Sequence, residues 1–238
     1  MIMSVRTVLA AAVLAVMQFG TSCNAETIRV AAQKTGTFAW ELAVIRSHGL
    51  DKKANLSIDV VELASPEAGK IALRSGTADV MVSDWPWVSR ERSLGAKLQF
   101  YPYSSALGAV MVPAASPVRT LADLKGRKLA VAGGAIYKNW LLLQAALKQD
   151  GVDLKSQATI VYGAPPLLAA KTLGGEMDAT LNYWNFCAAL EAKGFRRLAG
   201  MEEILQKLGS KGRIAMIGYV FDEAWAGANK DLVARFIA

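Results

Sequence analysis

Two tryptophans make the plainest chemical suggestion in this sequence. Trp85 and Trp184 lie 99 positions apart in matching surroundings, Gly76-x-x-Asp79-x5-Trp85-x-Trp87 and Gly175-x-x-Asp178-x5-Trp184-x-Phe186. Two indole faces at equivalent positions could sandwich an apolar or cationic ligand; the plainer reading packs each as core in its own half. Asp84 suits an amine or a metal ion, yet an Asp before Trp85-Pro86 is equally a helix N-cap. Thr35, Gly36 and Thr37, followed by Phe38, offer hydroxyl and N–H groups to an anion, or form a simple turn. Gly133-Gly134 permits close backbone approach, as a turn also requires. Tyr137 and Asn182 present polar tips at loop positions, and Ser104 with Ser105 ends a strand. Lys138 could meet an anionic solute, although a solvated helix face is its plainer home.

Catalytic sets are not legible. His48 is the sole histidine and stands at a helix end beside Gly49. Cys187 has no histidine partner for nucleophilic chemistry. No His/Cys grouping has zinc or iron spacing, and Gly133-Gly134 lacks the remainder of a phosphate- or dinucleotide-binding motif. Carboxylates alone (Asp84, Glu176, Asp178) remain, with Asp79 and Asp178 reading as structural. The expectation is a binding protein without enzyme activity, cofactor or metal.

The elements that position these residues alternate strand and helix. Ile28–Ala32, Ser57–Leu63 and Asp79–Val82 read as strands, separated by helices at Phe38–His48 and Ser65–Arg74. The order recurs in strands at Lys128–Val131, Thr159–Tyr162 and Asp178–Leu181, with helices from Asn139 and Pro165. Such β-α-β-α-β runs imply mostly parallel sheets flanked by helices. An offset of 99 pairs Ala31 with Ala130, Phe38 with Tyr137, Leu42 with Leu141 and Pro66 with Pro165. Two similar α/β lobes follow. Their boundaries are read as 26–115 for lobe one, 116–212 for lobe two, and 213–238 for a return to lobe one. The first crossing is placed near Thr120–Gly126. In open parallel sheets, ligands sit beyond the carboxyl ends of strands, where helix N-termini offer N–H groups. The loops at 34–38 and 83–87 should therefore face those at 133–137 and 182–186 across a cleft that closes by a hinge.

Residues 1–25 read as a secretory signal: Arg6, an apolar run over Val8–Met17, and Cys23-Asn24-Ala25 before Glu26. That run is too short to span a bilayer. A lipid anchor on Cys23 is the lesser alternative, since the usual upstream Leu is absent. Cleavage after Ala25 leaves Cys187 as the only cysteine and excludes a disulfide framework. The whole chain has 27 basic and 20 acidic side chains among 238 residues, and removing Arg6 leaves net +6. These charges are scattered, so nucleic acid is not an expected partner. With 53% hydrophobic residues, the chain has ample material for a core and is not disordered.

The run Leu121-Ala122-Asp123-Leu124-Lys125-Gly126-Arg127-Lys128-Leu129-Ala130-Val131 resembles the entry into lobe two of type II periplasmic solute-binding proteins. Gly76-Thr77-Ala78-Asp79 and Gly175-Glu176-Met177-Asp178-Ala179 resemble strands of their nitrate/taurine/sulfonate and thiamine-precursor-like branch. Phe221-Asp222-Glu223-Ala224-Trp225 with Asp231–Phe236 is similar to that branch's late helical segment. The resemblance implies a monomer in the periplasm that delivers a small solute to an ABC-type permease at the inner membrane. It also implies further C-terminal helices beyond Ala238. Relatives of this pattern are associated with quinoprotein alcohol oxidation, so a periplasmic accessory protein that binds a partner enzyme is the alternative. The solute itself stays open, because net positive charge favours an anion while Asp84 with two Trp favours a cation or an aromatic body.

Overall fold

The computed structural model describes residues 25–238; the expected leader and Cys23 lie outside the described residues. Ten strands are described: β1 Glu26–Gln33, β2 Leu56–Leu63, β3 Val80–Asp84, β4 Leu98–Ser104, β5 Gly108–Pro113, β6 Lys128–Ala132, β7 Thr159–Gly163, β8 Ala179–Tyr183, β9 Phe195–Gly200 and β10 Ile217–Asp222. They form two five-stranded sheets, ordered β2-β1-β3-β10-β4 and β7-β6-β8-β5-β9. β1 runs parallel to β2 and β3, and β6 to β7 and β8. The helical crossovers read from the sequence require this arrangement. Each sheet also holds one antiparallel strand, β10 in the first and β5 in the second.

Those antiparallel strands are where the chain changes lobe. Gly108–Pro113, kept with lobe one in the sequence reading, pairs with β8 and β9 of the second sheet. The first crossing therefore spans 105–107 and precedes the short helical turn at Leu121–Leu124. The return runs through Met216, buried in the second core, into Ile217 at the start of β10. Ile217 sits beside Ser104, with a register irregularity before Gly218. Two adjacent segments thus form the only described covalent links between the sheets.

Each sheet is sealed by its own core. Ile28, Val30, Val80 and Phe221 pack with Phe38 and Leu42 of the helix Thr37–Ser47. On the sheet's other face, Ala31, Met81 and Val220 pack with Leu73 and Trp87. The larger second core gathers Val110, Leu129, Val131 and Leu181 around Trp140, Leu143 and Leu147. Fully buried Leu or Trp side chains contribute about 2–3 kcal/mol each.

The 99-residue repeat is written into the hydrogen bonds. Asp79 N–H donates to the Arg29 carbonyl at 2.8 Å, and its carboxylate accepts the Arg29 N–H at 2.7 Å. Asp178 does the same with Lys128, at 3.0 and 2.7 Å. The pairings of Val30 with Val80 and Leu129 with Ala179 keep the same offset. Both aspartates tie the starts of neighbouring parallel strands together, the structural role read for them from sequence.

Candidate functional site

Between the lobes lies a cavity of about 390 Å³. Its floor includes Ser104 and Ile217 at the crossings, and its walls are strand ends and helix starts of both sheets. Thr35, Gly36, Thr37 and Phe38 line it, as do Asp84, Ser104, Tyr137 and Trp184. Helix starts at Gly36, Tyr137 and Tyr183 carry no side-chain cap. First-turn N–H groups left without a side-chain acceptor and the positive end of the helix dipole suit a negatively charged group.

Trp85, Gly134 and Asn182 lie outside this lining. The segments at 84–87 and 183–186 are not loops but strand-to-helix junctions opening the helices Trp85–Ser93 and Trp184–Glu191. Asp84 is the N-cap of the first, its Oδ1 accepting the Trp87 N–H at 2.9 Å. Trp85 is 41% exposed, and its backbone N–H donates to the Met216 carbonyl at 3.1 Å. Trp184 instead meets Trp40 across the cleft, edge to face at 6.2 Å. Under the 99-residue offset the position matching Trp40 is Asn139, whose buried amide donates to the Leu107 carbonyl. No ring stands there for Trp85 to meet, so the indole pair that bridges the lobes is Trp40–Trp184. Asn182 spends its amide internally, donating to the Pro165 carbonyl at 3.1 Å and accepting the Tyr183 N–H at 2.8 Å. Gly134, with φ +90°, is a turn residue whose carbonyl accepts the Tyr137 N–H. Its neighbour Gly133 also has a positive φ, and there a Cβ would in addition lie 2.7 Å from the Tyr137 ring.

Four ionisable carboxylate and ammonium groups reach the cavity: Glu41, Lys70, Asp84 and Lys138. Lys138 is not on a solvated face. Its side chain is 4% exposed and its Nζ lies 3.7 Å from Asp84 Oδ2, whose side chain is 10% exposed. The ion pair joins lobe two to lobe one. Burial lowers the Lys138 pKa, and Asp84 opposes that shift. The same Nζ donates to the Tyr137 hydroxyl at 2.7 Å. Tyr137 and Tyr183 stack at 5.0 Å; burial raises both phenols, so they stay neutral. The buried Tyr183 hydroxyl has no hydrogen-bond partner among the described residues. Lys70 stands 5.2 Å above the Trp87 ring, its pKa also lowered by burial. At another part of the wall Glu41 accepts the Tyr103 hydroxyl at 3.5 Å, and burial raises its pKa.

Sequence reasoning missed Glu41, Lys70, Tyr103 and Tyr183 as lining residues. Glu41 was findable, standing one helical turn after Phe38 on the helix that follows the first loop. Lys70 carries no such signal. Cys187 is buried, its thiol directed at the Ala109 and Asn182 carbonyls and pushed up to about 11 by burial; a thiol so held is a poor nucleophile. Among the described residues no helix is long and apolar enough to cross a membrane.

The two sheet orders, paired crossings and interlobe cavity define a clamp of the type II periplasmic solute-binding fold. The sequence model of the family described as NMT1/THI5 like matches residues 42–238, and the chain belongs to that family. No curated protein matches the sequence. Among solved structures, the aliphatic sulphonate binding protein SsuA of Escherichia coli is similar at 24% identity and TM-score 0.67, over 88% of this chain and 69% of that one. The alkanesulfonate-binding protein SsuA of Xanthomonas axonopodis pv. citri, bound to MOPS, gives 24% identity and 0.67 over 87% and 70%. The VFT2 domain of Bordetella pertussis BvgS is more distant, at 18% identity and 0.58 over 89% and 87%. These likenesses establish the shared fold.

Proposed function

We propose that this chain is the periplasmic solute-binding component of an ABC importer. It captures a small organic solute between its lobes, closes on it, and delivers it as a monomer to a membrane permease. The observation that carries the reading is the interlobe cavity of about 390 Å³, walled by both sheets' strand ends over a two-segment hinge. That volume lies within the range of small-molecule sites. The family match and the sulfonate-binding fold relatives support the same reading. The lining residues named above are proposed to touch the solute, with Trp40 and Trp184 covering the mouth. The accessory-protein alternative has no such support from the fold relatives.

Native mass spectrometry of protein taken from its host periplasm tests this directly. A small-molecule adduct is expected, and the released compound should raise thermal stability on re-addition. At 100 times its Kd a ligand adds about 2.7 kcal/mol. A bare chain that co-purifies only with a partner protein overturns the transport reading.

A further inference from the structure

We propose that the end of lobe two farthest from the cleft is a docking surface for anionic phospholipid headgroups, through which the chain rests on a membrane by one lobe. The proposal is independent of what the cleft binds.

Scattered along the sequence, the charges are not evenly placed on the molecule. Lobe one, residues 26–104 and 217–238, holds 12 basic and 12 acidic side chains, whereas lobe two, residues 108–216, holds 14 and 8. All of the net +6 belongs to lobe two. Strands β6, β7 and β8 point their carboxyl ends toward the cavity, so their amino ends mark the opposite end of the lobe. Hydrogen bonds gather three segments there. Gly126 N–H donates to the Gln157 carbonyl at 2.7 Å, Thr159 N–H to the Arg127 carbonyl at 2.9 Å, and Asp178 N–H to the Lys128 carbonyl at 3.0 Å. Arg119, Lys125, Arg127, Lys128 and Lys155 are exposed on these segments, and Lys148 joins them from the last turn of the helix Lys138–Gln149.

Three carboxylates share this end, and each is spent on the backbone. Asp123 accepts the Arg119 and Thr120 N–H groups at 2.9 and 2.8 Å, Asp153 the Lys155 N–H at 3.1 Å, and Asp178 the Lys128 N–H at 2.7 Å. The ion pairs nearby are Lys171–Glu176, Arg197–Glu191 and Lys207–Asp150, and among the described residues none of the six cations is in one. The surface stays positive.

The apolar pattern then chooses the partner. Protein interfaces are built on aromatic or apolar anchors and are poor in lysine. The exposed large apolar side chains of lobe two lie toward the cleft, at Ile136, Leu141, Tyr162, Leu167 and Trp184, with Leu173 alone at the far end. A second copy of the chain offers no complement, since lobe one is neutral and lobe two repels its like. Long flexible cations without an anchor fit a fluid layer of negative headgroups. Seated this way, the chain keeps lobe one clear of the surface.

The test takes protein recovered after export and sediments it with vesicles of phosphatidylcholine, or of an equal mixture of phosphatidylcholine and phosphatidylglycerol. Binding is expected to the mixed vesicles only, and should be lost at about 0.5 M salt, where charges are screened within about 4 Å. A cation near an anionic surface contributes about fivefold to partitioning, so Lys125→Gln/Lys155→Gln should weaken binding about tenfold or more. Lys52→Gln/Lys53→Gln removes the same charge from lobe one and should leave binding within about twofold. Thermal melts check that both variants are folded, and Arg119→Gln/Lys148→Gln repeats the test if the first variant is not. Equal losses in the lobe-one and lobe-two variants would mean attraction to net charge with no docking face, which overturns the proposal. So does equal binding to both kinds of vesicle, or binding to neither. An acidic protein cross-linked through Lys125 or Lys155, with no vesicle binding, gives the face to that partner and overturns it too. The solute-binding reading stands or falls separately, on the adduct.

Discussion

Asp84→Asn removes one charge of the pair that joins the lobes. Asn is as good an N-cap as Asp, so the cap on Trp87 survives and the substitution isolates the loss of charge. It strands the Lys138 ammonium, 4% exposed, without its partner at 3.7 Å. Breaking a buried pair from one side costs about 3–5 kcal/mol. Here the protein can avoid that cost by opening, because separating the lobes returns Lys138 to water. The penalty should therefore fall on closure more than on folding. A shift of about 3 kcal/mol toward the open form is about 150-fold in the equilibrium. Small-angle scattering of the unliganded variant should show a larger radius of gyration than wild type. Affinity for the native solute should fall by up to that factor, with a smaller loss in chemical-denaturation stability. The double variant Asp84→Asn/Lys138→Met removes both charges and should recover most of the closure. A double variant as open as the single one, or an Asp84→Asn protein as closed as wild type, refutes the reasoning.

The remaining predictions concern the indoles, the strand clasp and Glu41. Trp184→Ala and Trp40→Ala should each weaken solute binding about tenfold in calorimetry, from the loss of about 1 kcal/mol of ring contact and of water exclusion, whereas Trp85→Ala should leave affinity within about twofold. Equal losses at all three would place Trp85 in the site. Asp79→Asn breaks the contacts with the Arg29 guanidinium and should cost about 1–3 kcal/mol in urea unfolding; an unchanged midpoint would refute the clasp. Glu41 has its pKa raised by burial, and the phenols facing it, Tyr103 and Tyr219, are raised as well and stay neutral. The folded state thus holds the Glu41 proton more tightly than the unfolded chain. The stability of wild type relative to Glu41→Gln should fall as pH rises from 4.5 through the raised folded value. A difference independent of pH would show that the carboxyl is solvated.

Most of the architecture was legible because it rests on local patterns that repeat. The apolar strands, Gly stops and paired Pro66 and Pro165 gave the lobes, and the hydrogen bonds of Asp79 and Asp178 show why the offset holds. The lobe change was misread because Gly108–Pro113 is an apolar strand like its neighbours. Only its pairing with β8 and β9 assigns it to the second sheet. The site was partly legible: loops after parallel strands do converge, bringing Thr35 to Phe38 together with Tyr137 and Trp184. Symmetry failed where the two halves carry different residues at one equivalent place. Trp40 against Asn139 decides which indole finds a ring, and no reading of Trp85 and Trp184 alone contains that. Lys138 shows the same limit, since a lysine opening a helix is ordinary on a surface and only the facing lobe makes it buried.

The position of β10 dictates an order of assembly. β4 is an edge strand whose one neighbour is β10, and β10 arrives only after the whole of β5–β9 has been threaded out. During synthesis the later half can finish its own sheet from a contiguous stretch, while the earlier half waits with an empty slot beside β3. Contacts so distant along the chain form slowly. The half made first is thus completed last, and the joint proposed as the hinge is also the seam that closes its sheet.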